Sequence, residues 1–448
     1  MTAGLPRASF LENARFTLTY LLPSMLRGIA IPMPFWTEVA TRFDTGLGVA
    51  TVERLTERYA GRPVMLGGVG GQTLLVLAAG DVRRVLESPV AVYGMNVAEK
   101  RRLFALFAPD ALNGSPPDLR AERRPFNEAV LDYGHEPHRF AERFLRVVHE
   151  EVEAMLADAG VLDYERSLAA FRRISRRCAL GDAAADDTEL SEEHSRLRAD
   201  ADWLGLKVWA RRRDARLKAS MDERIQRYVA AAEPGTLVSL FTSAPTEADT
   251  RPNGQVPFWL MALDAIRTTV FNALALLTTD PPAHERALAE VRLADKTLGP
   301  GTIAGLAELA FVRACMLDSV RLWPAAAMLV RVTAAETEWY GETLPIGARV
   351  LIPVVAQHRA RSLPHANRFA PDLWLDGSAD ADWQMNVFSR GGAQCAGRNL
   401  ALVLGTASLA EMLRQRDYEL LRPKLAPGRP LPYGMNTLNV RFAVRGAR

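Results

Sequence analysis

The chain has 448 residues and little of several things, and each scarcity removes a class of protein. It holds three cysteines, Cys178, Cys315 and Cys395, odd in number and far apart. No disulfide framework follows from them, and a reducing, cytoplasmic setting is expected. No Cys-x-x-Cys pair or His/Cys cluster offers a zinc site. Net charge is scarce as well: 55 Lys and Arg against 52 Asp and Glu leave +3, which argues against a nucleic-acid binder. The most apolar N-terminal stretch, 16–36, is broken by Pro23, Arg27, Pro32 and Pro34. A membrane span needs about 20 mostly apolar residues, so no spanning helix is expected. A signal-peptide cleavage pattern is missing too. Residues 1–40 read as a leader packed on a single following domain, 41–448. The segment containing Gly67, Gly68, Gly70 and Gly71 lacks the Gly-Lys-Ser/Thr ending of a phosphate loop. Its flanks, 63–66 and 73–78, read as two strands of a hairpin.

What is present is ordinary globular material, 48% hydrophobic and 24% charged, enough for a large core with a pocket inside. Helical spacing dominates. Phe140, Phe144, Val147, Val148, Val152 and Met155 recur at three- and four-residue steps. Further helices are expected at 51–59, from 81, at 199–232, at 257–278, and on to Leu322, where Pro324 punctuates the chain. Residues 104–117 read as a loop. Val350, Leu351, Ile352, Val354 and Val355 read as a strand, 358–384 as irregular, 399–415 as a helix and 438–444 as a strand. The expected fold is mainly α with small β-sheets. Arg211, Arg212, Arg213, Arg216 and Lys218 lie on one predicted helix, as a solvated face or a dock for an acidic partner.

Chemistry concentrates in Phe388-Ser-Arg-Gly391-Gly392-Ala393-Gln-Cys395-Ala-Gly397. Glycines allow backbone to approach a flat cofactor. A cysteine just before a helix sits where free amides and the helix terminus stabilise a thiolate, which can ligate iron. A buried structural cysteine near a helix cap is the other reading, and the residues alone leave both open.

This segment resembles the heme-binding loop of the cytochrome P-450 family, Phe-x-x-Gly-x-Arg-x-Cys-x-Gly, with Phe388, Gly391, Cys395 and Gly397 matching. Ala393 stands where the family usually has a basic residue for a heme propionate. Asp318-x-x-Arg321 followed by Pro324 resembles the family's Glu-x-x-Arg helix, and 368–374 resembles the stretch before the cysteine loop. Residues 119–124 resemble its Trp-x-x-x-Arg helix, with the aromatic replaced by Leu119. The resemblance implies heme b buried between a long central helix and the cysteine loop, Cys395 as the axial ligand, and Arg123 and Arg331 as propionate partners.

The family's central helix carries an acid and a threonine above the heme. Here it reads Asp264-Ala265-Ile-Arg267-Thr268-Thr269. In the preferred register Asp264 is the acid and Ala265 replaces the threonine; in the other, Thr268 is the threonine and Arg267 replaces the acid. Thr268 and Thr269 follow Ala265 by three and four residues, so either can share its face.

The resemblance implies a monooxygenase that hydroxylates or oxidatively couples a small apolar molecule, plausible in secondary metabolism, with electrons from a separate ferredoxin- or flavodoxin-type donor. The incomplete acid–threonine pair leaves room for a peroxygenase, isomerase or dehydratase. The lost motif positions leave room for a catalytically silent recruitment protein. Substrate-lining residues are expected at 95–114 and 203–209.

Overall fold

The computed structural model describes residues 4–26, 38, 41, 46–67, 72–201 and 211–447. Among them the longer helices are α1 (Leu47–Arg58), α2 (Ala79–Glu87), α3 (Pro117–Val130), α4 (Ala141–Leu156), α5 (Tyr164–Leu180), α6 (Thr188–Asp200), α7 (Arg211–Ala231), α8 (Pro252–Thr279), α9 (Pro281–Leu298), α10 (Ala310–Leu322) and α11 (Arg398–Gln415). Local chemistry sets several ends. Asp163 caps α5 by accepting from the Arg166 amide at 3.1 Å. Asp280 closes α8 and caps α9 through the Ala283 amide at 3.1 Å, with Pro281 in the first turn.

Helix α8 is apolar nearly all round. It is the one described helix long and apolar enough to cross a membrane by composition, and most of that stretch is buried inside the protein. It packs against α5, α11, α10, α7 and α9, which makes it the central rod of the helical core.

Strands β1 (Val64–Leu66), β2 (Thr73–Leu75), β3 (Tyr93–Gly94), β5 (Leu329–Thr333) and β8 (Arg349–Ile352) form a sheet of order β1-β2-β8-β5-β3. The β2–β8 pairing is parallel and the others antiparallel. β4 (Val161–Leu162), β9 (Arg416–Arg422) and β10 (Arg441–Ala447) form a second sheet, and β6 (Thr337–Trp339) pairs with β7 (Glu342–Leu344).

The structure corrects three expectations. The helix expected over 199–232 is two helices, since α6 stops at Asp200 and α7 starts at Arg211; 202–210 lie outside the described residues, as does most of the glycine turn after β1. Val354 and Val355 leave the strand and enter a short helix, Val354–His358, because Pro353 cannot donate to the ladder. The central helix begins at Pro252 rather than Pro257, with Pro252 at a position where no amide is needed.

Near the N-terminus, 10–26 is helical, starting at a capping box in which Glu12 accepts from the Ser9 amide at 2.8 Å. Asn13 accepts from the Gly67 amide at 2.9 Å and Tyr20 donates to the Ala327 carbonyl at 2.7 Å, tying this stretch to the first sheet and the chain beyond α10.

Candidate active site

A cavity of about 1310 Å³ lies between α8, the cysteine loop, α3 and the first sheet, with a mainly apolar wall. Cys395 opens into it from the loop before α11. The Cys395 amide donates to the Phe388 carbonyl at 2.9 Å, closing the loop, and Phe388 also faces the cavity. Burial pushes the thiol up, while the Gly397 amide, Arg124 and Arg398 pull it back toward the thiolate.

Gly391 does something other than face a cofactor. Its φ is +62°, and a Cβ there would stand 1.9 Å from the Leu86 carbonyl at the end of α2. The close approach this glycine allows is therefore to protein backbone, and it seats the loop on α2. Gly397 does line the cavity.

The loop is braced from behind. Asp318 and Arg321 on α10 form a fully buried ion pair, Nε–Oδ1 2.5 Å and Nη2–Oδ2 3.1 Å. Arg321 also donates to the carbonyls of His358, His365 and Arg368 at 3.4, 3.3 and 2.7 Å. Asp318 accepts from the Ala370 amide at 2.8 Å and the Trp374 indole at 3.3 Å. Arg368 thus contributes its carbonyl to this element. His358, wholly buried, accepts from the Asn386 amide at Nε2 (2.8 Å) and donates from Nδ1 to the Arg321 carbonyl (3.2 Å), a tautomer assigned from this network. Burial drives its pKa down to about 3, so it is neutral.

On α3 the cavity face consists of Arg120, Arg124 and Asn127, at helical spacing and continued by Leu131 just past its end. Arg123, the residue expected to hold a propionate, points elsewhere. It donates to the Asp249 carbonyl, the Ser115 hydroxyl and the Asp110 carboxylate, each at 2.9 Å. It is one position off the cavity face, which is the physical reason for the correction. Arg120 donates to the Leu112 and Gly392 carbonyls at 3.2 and 3.4 Å. Arg124 donates to the Gln394 carbonyl at 2.6 Å and pairs with Glu128. Arg331 on β5 lines the cavity and donates to the Ser389 hydroxyl at 3.2 Å. Burial lowers Arg120 and Arg331 to about 10, with Arg124 and Arg331 adding to the effect at Arg120.

Helix α8 presents Ala262, Ala265, Ile266 and Thr269 to the cavity. Asp264 and Thr268 are not on that face. Asp264 sits 4.0 Å from both Arg172 on α5 and Arg198 on α6; burial raises its carboxyl, opposed by Arg198, Ser175, Arg172 and Arg176. Thr268 accepts from Arg267 at 3.4 Å. Arg267 is buried over the Tyr164 ring at 4.3 Å. The Thr269 hydroxyl makes no hydrogen bond among the described residues, whereas Thr278 and Thr279 bond back to their own helix. Met95, Val97, Leu103, Phe104, Leu112 and Asn113 line the cavity as expected for 95–114, and 203–209 lies outside the described residues.

An apolar cavity with a cysteine at its floor, a long helix across it and arginines at its edge defines a heme-thiolate architecture. The comparisons agree. The cytochrome P450 family model matches residues 260–428. The solved heme domain of cytochrome P450DA superposes with a TM-score of 0.71, covering 89% of this chain and 92% of that one at 14% identity, which establishes the shared fold. Among curated relatives, cyclooctat-9-en-7-ol 5-monooxygenase of Streptomyces melanosporofaciens is 32% identical over 219 residues, 46% of this chain and 48% of that protein. Secologanin synthase 1 of Catharanthus roseus is 31% identical over 151 residues, 32% and 28% of the two chains. Ecdysone 20-monooxygenase of Drosophila melanogaster is 26% identical over 193 residues, 39% and 35%. These alignments span less than half the length of each relative. Residues 260–428 are thus similar to the cytochrome P450 family, whose members bind heme through a cysteine thiolate, and the fold is that of a P450 heme domain.

The residues present fit that group. The Cys395 sulfur opens into the cavity with an amide and two arginines favouring its anion. Arg120 and Arg331 face the cavity without a carboxylate partner among the described residues, as an edge bearing two carboxylates requires.

Proposed function

We propose that the chain is a heme-thiolate monooxygenase acting on a small apolar molecule, with Cys395 as axial ligand and Arg120 and Arg331 holding the propionates. The observation that carries this reading is the Cys395 thiol open to a large, mainly apolar cavity beneath the Ala265–Thr269 face of α8. Heme bound there supplies reductive activation of dioxygen and transfer of one oxygen atom to an unactivated carbon. The chain's own residues do the rest. Phe258, Met261, Leu263 and Ile266 exclude water and hold an apolar substrate by contact. The Thr269 hydroxyl, free of its own helix and one turn after Ala265, is the donor nearest in kind to the family's threonine, which favours a third register over the two read from sequence. Asp264, on the next face, is held between Arg172 and Arg198 and does not reach the cavity wall.

A substrate with few polar groups fits the wall, and the Streptomyces relative, named for cyclooctat-9-en-7-ol, supports a secondary-metabolic role. Electrons come from a separate ferredoxin- or flavodoxin-type donor. The carbonyl spectrum of the reduced protein tests the reading. A thiolate-type Soret band is expected in wild type and its loss in Cys395→Ser; an unchanged band in that variant removes Cys395 as ligand. A second reading, a peroxide-driven peroxygenase, is favoured by Asp264 lying off the cavity face. Turnover with peroxide alone, and none with reductant plus oxygen, would select it.

A further inference from the structure

Lys100 lies on a short helix, Ala98–Phe104, and lines the same cavity as Cys395. It makes no hydrogen bond or ion pair with any described residue, and the carboxylate beside it, Glu99, is taken by Arg349. From α3 and β5, Arg120 and Arg331 press on its charge. All three cations face the cavity, and Ala393 faces it as well.

We propose that Lys100 is a heme-propionate anchor, supplying from the segment before α3 the positive charge that Ala393 fails to supply from the cysteine loop. The inference rests on the heme-thiolate reading of the site. Its geometry singles out the cofactor's carboxylates over a substrate's. Arg331 is bonded to Ser389, and Arg120 to the Gly392 carbonyl, so both cations that act on Lys100 are fastened to the loop carrying Cys395. The cluster is therefore tied to the same loop that carries Cys395.

An unpaired ammonium in a mainly apolar cavity is costly, and the protein meets that cost by loosening the proton. Burial first, then Arg331 and Arg120, bring Lys100 down to about 7. A carboxylate in contact reverses the effect, restores the ammonium and gains a charge-assisted hydrogen bond.

The chain has only five lysines, so amine acylation read by peptide mass spectrometry can follow each one. In the holoprotein, Lys100 should acylate at least about tenfold more slowly than Lys296 and Lys424 at mildly alkaline pH, because it is protonated and engaged. Hemin transfer to an acceptor globin gives the second readout. Lys100→Met should release hemin about tenfold faster or more, and Lys100→Arg should restore retention. When the protein is reconstituted with hemin dimethyl ester, which lacks the carboxylates, wild type and Lys100→Met should release it alike. Equal hemin release by wild type and Lys100→Met, with a normal thiolate-type carbonyl band in both, overturns the anchor and leaves the heme reading standing. Fast acylation of Lys100 in the holoprotein does the same, even if the methionine variant fails to fold. A Lys100→Met defect that persists with the ester, or that Lys100→Arg does not relieve, makes the residue a packing element and also overturns the anchor. Absence of a thiolate-type band in wild type overturns both.

Discussion

The Asn386 amide donates to Nε2 of His358 at 2.8 Å, joining the cysteine loop to the helix that carries the Asp318–Arg321 pair. A neutral imidazole is required, since Nε2 must accept. Burial has driven the group down to about 3, against about 6.5 for a free histidine. Between those values the unfolded chain takes a proton that the folded chain refuses. Stability from this site is therefore complete above about pH 6.5 and falls as the pH drops toward 3. His358→Gln should cost about 1–3 kcal/mol at pH 7.5. The gap to wild type should narrow at pH 4.5, because glutamine does not titrate, while His138 and His194 remain in both proteins. Urea midpoints at the two pH values measure this, and a gap that stays constant would count against the neutral-histidine link.

On α3 the prediction separates neighbours. Arg120→Ala and Arg331→Ala should each speed hemin loss about tenfold or more, the loss of one charge-assisted hydrogen bond. Arg123→Ala should lower the melting temperature by breaking the bonds to Asp110, Ser115 and Asp249, with hemin release close to wild type. If Arg123→Ala releases hemin and Arg120→Ala does not, the assignment on this helix is reversed.

In the central helix, Thr269→Ala should raise the share of reducing equivalents lost as hydrogen peroxide, and Thr268→Ala should leave it near wild type. A preorganised donor at a developing anion is worth about 2.7–4 kcal/mol, so the difference is measurable. Asp264→Asn should lower the melting temperature by removing the charge between Arg172 and Arg198, with the peroxide share near wild type. A rise with Thr268→Ala and none with Thr269→Ala would restore one of the registers read from sequence.

Gly391→Ala must fit a Cβ at φ +62°, 1.9 Å from the Leu86 carbonyl. It should destabilise the protein by about 1–3 kcal/mol or more. Gly392→Ala meets only Val90 Cγ2 at 3.6 Å, ordinary contact, and should be near neutral. Comparable losses in thermal denaturation would mean that backbone approach to α2 is not what Gly391 provides.

Much of this architecture was legible because it rests on local chemistry. The period of 140–155, the proline after Leu322 and the glycines around Cys395 each announce an element by its own residues. The family resemblance placed Cys395 and Arg331 on the wall they occupy. What failed was rotation about a helix axis. Three arginines within five positions of α3 look alike in sequence, and only the packed helix puts Arg120 and Arg124 on the cavity and Arg123 behind it. The spacing of 120, 124, 127 and 131 was the available signal. Asp264 and Ala265 are likewise adjacent in the chain and about a hundred degrees apart around α8. His358 and Lys100 carried no local signal, because each acts through residues distant in sequence.

The two faces of α8 have a consequence for how such a chain diversifies. Ala262, Ala265, Ile266 and Thr269 meet the cavity, while Arg267 lies over Tyr164 and Asp264 is held by α5 and α6. The cavity wall and the packing against α5 and α6 are thus written on separate sides of one rod, about a hundred degrees apart. A lineage can rewrite the first side repeatedly to accept new molecules, provided that it leaves the second alone. A saturation scan of 259–270 should reproduce that history in miniature, with altered product profiles at one set of positions and altered protein yield at the other.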